Sequence, residues 1–386
     1  MDRVVAAAVA TVALLAALTG AARGRALAGP AEAQLVSSSG QGRGVAENYH
    51  GVYTTADDGA HWVSVTPPNL RANPILLNHV DGISSFGADR VWLLVSANAG
   101  YGSRLVYTWN GGRRWRITPL VPGPSGAPLS FLPGDANPTT PAFSSADDGW
   151  IIASLGPNDR GGLFRTRDGG AHWSFVADAP FQGSVVFNNR TDGWGISAPT
   201  WTNAGTVKTP GGALYHSTNG GVSWRRVQLP PIFAYRRARV TFGLPTFFGA
   251  SSGVVAGRLY NTQTGAEPVV VYVTNDGGAT WHGRLAPQTT ATRRYQQGFF
   301  SVPFAVSSPS HWAMYAGAIL YTTDNAGLSW TSIRPKLPKV VAEVDRLDSA
   351  RPATMWAQAH GHTGNLYPPY LLRSTNAGRS WSTLSP

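Results

Sequence analysis

Among 386 residues the chain has no cysteine. That excludes disulfides, thiolate metal sites, cysteine nucleophiles and a lipid-bearing cysteine. Lysine and glutamate are nearly as scarce, with three Lys and only four Glu, at positions 32, 47, 267 and 343. Glycine and proline are plentiful instead, at 45 and 28 residues. This balance suits turns between many short strands better than helices. The formal charge is +11, carried mostly by arginine. A basic balance alone argues only for non-specific attraction to anions.

Residues 1–28 have the layout of a secretory signal. Arg3 lies in a short basic region, an apolar run follows from Val4 to Ala22, and Ala26-Leu27-Ala28 precedes Gly29. Cleavage there would leave residues 29–386 as a secreted, periplasmic or cell-surface protein with a net charge of +9. The competing reading is an uncleaved anchor, since the run is only just long enough to span a bilayer.

Beyond the leader, one eight-residue figure returns seven times. Its copies are TADDGAHW (55–62), TWNGGRRW (108–115), TRDGGAHW (166–173), STNGGVSW (217–224), TNDGGATW (274–281), TDNAGLSW (323–330) and STNAGRSW (374–381). The third position holds Asp57, Asn110, Asp168, Asn219, Asp276, Asn325 or Asn376. The eighth is always tryptophan: Trp62, Trp115, Trp173, Trp224, Trp281, Trp330 and Trp381. Asp and Asn both accept hydrogen bonds from nearby backbone amides in Asx-turns, and glycine supplies positive φ. An acid catalyst would not tolerate Asn. The figure therefore reads as a turn closed by an apolar plug, not as a reactive site.

A second marker precedes six of the seven figures: FGADRVW (86–92), FSSADDGW (143–150) and FNNRTDGW (187–194), with looser versions at 248–254, 304–312 and 347–356. Twelve of the fourteen tryptophans occupy these two marker positions, leaving Trp109 and Trp201. Each unit of about fifty residues reads as four antiparallel strands, A to D, with the tryptophan figure between C and D. Residues 35–62 fit a compressed first unit, with strands at 35–37, 44–46 and 51–54. The expectation is an all-β, seven-bladed propeller of four-stranded blades over 29–386, with a six-bladed ring as the alternative.

The repeat resembles the Asp-box, or bacterial neuraminidase repeat. Across the mature chain it is similar to the photosystem II assembly/stability-factor-like propellers and to sortilin-related ectodomains. That resemblance implies a seven-bladed, non-enzymatic module that binds a protein or a membrane complex. Sialidases share the repeat more distantly, but their F/Y-R-I-P stretch is absent and none of the four Glu stands in a recognisable catalytic context. A glycosidase acting on sialosides or polysaccharides is kept as the alternative function. It would need two carboxylates facing across a sugar, drawn from Asp135, Asp159, Asp178, Glu267 or Asp345.

Meander geometry places A–B and C–D turns on one face and B–C loops and D–A crossovers on the other. The tryptophan turns therefore share the first face, which we expect to be architectural. The longer stretches, 121–142, 197–213, 230–246, 286–303 and 359–370, fall on the second. The candidate binding residues lie there: Tyr235, Arg236, Arg237, Arg239, Arg293, Arg294, Tyr295, Trp201 and Tyr367. Arginine forks suit carboxylate, phosphate or sulfate. The expected partner is a protein or an anionic glycan or envelope component. No sequence-specific nucleic-acid binding is indicated, and membrane contact is expected only through an uncleaved leader. A monomer without cofactor is expected. His360-Gly361-His362 has metal-like spacing but no evident third ligand, so no metal is assigned.

Overall fold

In the computed structural model the described residues are 35–40, 42–48, 51–72, 80–87, 89–96, 103–118, 121–122, 128–129, 140–154, 161–197, 200–201, 207–209, 213–232, 239–260, 268–287, 303–349, 353–361 and 370–384. The signal segment lies outside them. Short runs rich in Val, Ile, Leu and Trp form the middle strands, and these are buried on both faces. Arg90–Ser96 reads RVWLLVS, and residues 91–95 are all buried. Fourth strands such as Arg116–Ile117 are exposed. That gradient is expected where sheets stack side by side and only their outer edges meet water.

Seven antiparallel sheets follow one another along the chain, and the fold is a seven-bladed β-propeller. Blade 1 comprises Leu35–Gly40, Arg43–Asn48, Gly51–Thr55 and Val63–Ser64, so the first unit is complete despite lacking aromatic markers. Blades 2 and 3 run from Val80–Phe86 to Arg116–Ile117 and from Ala142–Phe143 to Ser174–Ala179. Blade 4 is Val185–Phe187, Gly193–Ile196, Leu214–Ser217 and Arg225–Val227. In blade 5 the inner strand is split into Arg239–Phe242 and Thr246–Phe248, both paired with Ser252–Tyr260. Pro245 falls in the gap, where no amide hydrogen is needed for the ladder. Blades 6 and 7 span Phe304–Val306 to Thr331–Ile333 and Val341–Ser349 to Ser382–Thr383.

Three boundaries differ from expectation. The 230–246 crossover already contains an inner strand from Arg239, and the second strand of blade 7 runs on to Gly361. The connection after blade 1 holds a five-residue helix, Pro68–Ala72, where no helix was expected. Its Leu70 is buried among the valines of blades 1 and 2.

All seven tryptophan turns share one hydrogen-bond pattern. The first-position hydroxyl accepts from the fifth-position glycine amide at 2.8–3.0 Å. The third-position Asp or Asn accepts from the seventh-position amide at 2.9–3.0 Å. The fourth-position amide donates to a carbonyl of the same blade's A–B turn at 2.7–3.0 Å, for example Gly169 to Asp147 and Ala377 to Ala353. Seven such bonds tie both kinds of turn together on one face of the ring.

At six of the seven turns the fifth-position glycine also meets the preceding blade, and at Gly327 it meets Trp312 of its own blade. A Cβ on Gly170 would lie 2.8 Å from the Trp92 indole, and one on Gly221 would lie 2.0 Å from Leu163. Trp92 stacks on Phe143 of blade 3 at 3.6 Å and donates to the Gly169 carbonyl at 2.9 Å. Ring closure uses the same contact. Trp356 of blade 7 donates to the Asp58 carbonyl of blade 1 at 3.0 Å and packs against Trp62, across 298 residues of chain. Burying one such indole is worth on the order of 4–5 kcal/mol of transfer free energy.

The fourth position also has positive φ, which Gly adopts without strain at four turns but Asp58, Ala326 and Ala377 do not. Ala326→Gly should therefore raise stability by about 0.5–1 kcal/mol in thermal or denaturant unfolding. Gly221→Ala should lower it by several kcal/mol, because the added carbon has no room beside Leu163. Equal midpoints for the two variants would contradict this account of the turn.

Candidate functional site

The arginine and aromatic set expected on the loop face falls almost wholly outside the described residues: Tyr235, Arg236, Arg237, Arg293, Arg294, Tyr295 and Tyr367. Two of its members have a described backbone but no described side chain. Arg239 opens the inner strand of blade 5, and Trp201 belongs to a two-stranded extension, Thr200–Trp201 with Val207–Thr209. That extension interrupts the B–C connection of blade 4, so topology puts its backbone on the face away from the tryptophan turns.

Among the turn residues, charge and chemistry are absorbed locally. Where the third position is Asp, its second oxygen meets a seventh-position donor. His61 reaches Asp57 at 2.6 Å, His172 reaches Asp168 at 2.7 Å, and Thr280 donates to Asp276 at 2.5 Å. Where it is Asn in turns four, six and seven, the amide donates to Ser223, Ser329 or Ser380 at 2.8–2.9 Å. The acid or amide is thus matched to its partner four residues on. Hydrogen bonds from Thr280 hold Asp276 well below the ordinary carboxylate range. An acid so stabilised as its anion is a poor proton donor.

Other described titratable groups form structural locks. Asp148, almost fully buried, binds Arg165 at 2.7 Å and Arg190 of the next blade at 2.8 Å. Burial raises its carboxyl, but the two guanidinium groups more than offset that and leave it below the usual range. In blade 7, His360 is held by Asp345 at 2.8 Å and faces Glu343 at 3.7 Å. Burial pushes the Asp345 carboxyl up. Asp345 and Glu343 thus both face the His360 imidazole, one on each ring nitrogen. Of the carboxylates considered for hydrolysis, Asp135, Asp159 and Glu267 lie outside the described residues. No group of three His, Asp or Glu suited to a metal occurs among the described residues, and His362 lies outside them.

A cavity of about 360 Å³ opens between blades 6 and 7, lined by His311, Ala313, Asp324, Met355, Ala377 and Arg379 among others. It lies on the face of the tryptophan turns, the face that the repeat pattern marks as architectural. The signal that could have revealed it is the two-residue turn Gly317-Ala318, with positive φ at both residues. Such a turn sets the register of the hairpin, and hence where Trp312 points.

No family model matches the chain. The photosystem II assembly lipoprotein Ycf48 of Synechococcus sp. (strain CC9902) is 29% identical over 185 residues, which is 46% of this chain and 46% of that protein. The solved structure of YCF48 from Cyanidioschyzon merolae superposes with a TM-score of 0.55 at 13% identity, covering 89% of this chain and 96% of that one. The chain is similar to the photosystem II assembly-factor propellers in sequence and in fold. The sequence match spans about half the length of the curated relative, and the structural one shows the fold alone. A GH74 enzyme from Niastella koreensis superposes at a TM-score of only 0.37 with 13% identity over 93% of this chain and 79% of that one, which carries no argument.

One buried group stands apart from every lock described. Glu47, fully buried in the second strand of blade 1, has both carboxyl oxygens without a hydrogen-bond partner. Burial pushes its pKa from 4.5 to about 8. The folded chain therefore holds a neutral Glu47 at pH values where the unfolded chain ionises it. Below about pH 4.5 this costs nothing. From there stability should fall as pH rises, levelling above 8, by up to about 4–5 kcal/mol. Glu47→Gln should flatten that slope in denaturant titrations at pH 5 to 8.5. Parallel pH profiles for the variant and the wild type would show that Glu47 is ionised in the fold.

Proposed function

We propose that the protein is an exported, non-catalytic scaffold propeller that holds a partner protein through its loop face. The observation that carries this reading is the similarity to Ycf48 propellers, in sequence over half the chain and in fold over most of it. The chemistry of the described residues supports it. The turn carboxylates are consumed by their own amides and side chains, and Asp345 and Glu343 are engaged by His360. The matched relative is named an assembly lipoprotein. This chain has no cysteine to carry a thioether-linked lipid, so retention at a membrane would depend on its apolar leader.

The residues assigned to the anchor are Arg236, Arg237, Arg239, Arg293 and Arg294, together with Tyr235, Tyr295, Trp201 and Tyr367. An acidic protein surface is the partner these residues suit; an anionic envelope glycan would present similar charge. Replacing all five arginines with Gln should weaken capture of the partner from the exported fraction of the native cell at least tenfold at low salt. The melting temperature should stay within about 2 °C, since Gln leaves the backbone of the Arg239 strand intact and charges outside buried pairs contribute little to stability. Undiminished capture would remove the arginine cluster from the function. Selective retention of sulfated polysaccharide in place of protein would move the reading to a glycan. Turnover of fluorogenic sialosides or polysaccharides would overturn the non-catalytic assignment.

A further inference from the structure

The cavity between blades 6 and 7 has a specific origin. In blades 2, 3, 4 and 7 a second-strand tryptophan stands opposite the residue just before the turn: Trp92 with Tyr107, Trp150 with Arg165, Trp194 with His216 and Trp356 with Arg373. Each is buried and projects toward the next blade. Trp150 stacks on Phe187 at 3.9 Å, and Trp194 meets Trp281 edge-on at 5.6 Å. In two of these seams the indole N–H donates to the fourth-position carbonyl of the neighbouring turn, Gly169 or Asp58.

In blade 6 the residue in this place is Ala313, opposite Thr322. Trp312 stands one position earlier, opposite Thr323, and successive strand residues point to opposite faces. Its ring accordingly packs with Val254, Val271 and Val273 of blade 5, and its N–H donates to the Ser308 carbonyl of its own turn. The two other seams without a forward-facing tryptophan are filled. Trp312 closes the seam between blades 5 and 6, while Val65 and Leu70 close that between blades 1 and 2. The seam between blades 6 and 7 is left with a methyl group where its counterparts hold an indole. The resulting cavity is lined by Ala313, Thr322 and Ala377, with Met355 beside them and His311 and Arg379 among its polar walls.

We propose that this socket binds an indole ring, the side chain of a tryptophan carried by a partner polypeptide. The Ala377 carbonyl occupies the turn position that accepts from the indole N–H at Gly169 and Asp58. The volume is at the lower end of the range for ligand pockets. The opening lies on the turn face, so the contact is separate from the arginine loop face. Aromatic anchors entering preformed pockets dominate many interfaces.

The test uses the full chain labelled with methyl-¹³C methionine. Met355 lines the socket, whereas Met314 is buried in a different cluster and serves as the internal control. Titrating indole and N-acetyl-tryptophanamide should shift the Met355 methyl saturably and leave Met314 in place. 1-Methylindole, which lacks the donor, should bind about fivefold more weakly, as expected for one lost hydrogen bond. Ala313→Trp should restore the missing side chain and abolish the Met355 response. Ala313→Leu, a smaller filling, gives the same readout if the tryptophan variant does not fold. A response to indole but not to N-acetyl-tryptophanamide would overturn the polypeptide source. Unchanged binding in the filled variants, or shifts at Met314 alone, would overturn the site.

Discussion

The ring depends on one repeated contact: the flank of each tryptophan turn laid against the blade before it. The fifth residue of the turn must be glycine for two independent reasons. Its φ lies between +77° and +93°, and at Gly170, Gly221 and Gly278 a Cβ would collide with a side chain of the preceding blade. The turn is therefore a local device and an interblade surface at once. Its internal hydrogen bonds hold the backbone in the shape that lets a neighbour's side chains approach within van der Waals distance.

Among the described residues, that double duty explains how the ring closes without a strand exchanged between its first and last blades. Blade 1 is built wholly from N-terminal strands and blade 7 wholly from C-terminal ones. The seam between them joins Ala46 and Trp62 to Trp356, Leu371 and Leu384. It uses the same tryptophan-to-turn hydrogen bond as an internal seam. Closure is one more repeat of a contact already made elsewhere, so the first and last blades need no special device.

The same economy separates the two faces chemically. On the turn face, carboxylates, amides and hydroxyls are matched in pairs four residues apart, and most of their capacity is spent within the hairpin. Arg165, Arg190 and Asp148 add a charged lock between blades 3 and 4. The exception is the seam between blades 6 and 7, where a one-residue offset leaves space. Binding capacity on this face therefore comes from a missing side chain and not from an added polar group.

Much of this was legible from sequence because an Asx-turn is decided within eight residues. Ser217, Asn219, Gly221 and Trp224 carry enough information to define a hairpin, and seven copies at a near-constant spacing define a ring of blades. Blade 1 could be placed for the same reason, though its strands lack aromatic markers. The arginine loop cluster was visible only as composition, since no local pattern says where Arg236 or Arg293 points. Trp312 marks the limit most clearly. As a letter it matches Trp92 and Trp356, but pairing with Thr323 in place of the preceding residue, Thr322, turns it to the opposite neighbour. Sequence by itself determined the number, order and chemistry of the hairpins, because those interactions are local. Only the tertiary structure decided which blade each tryptophan touches and where a seam stays open, because side chains alternate along a strand and a shift of one residue reverses their direction.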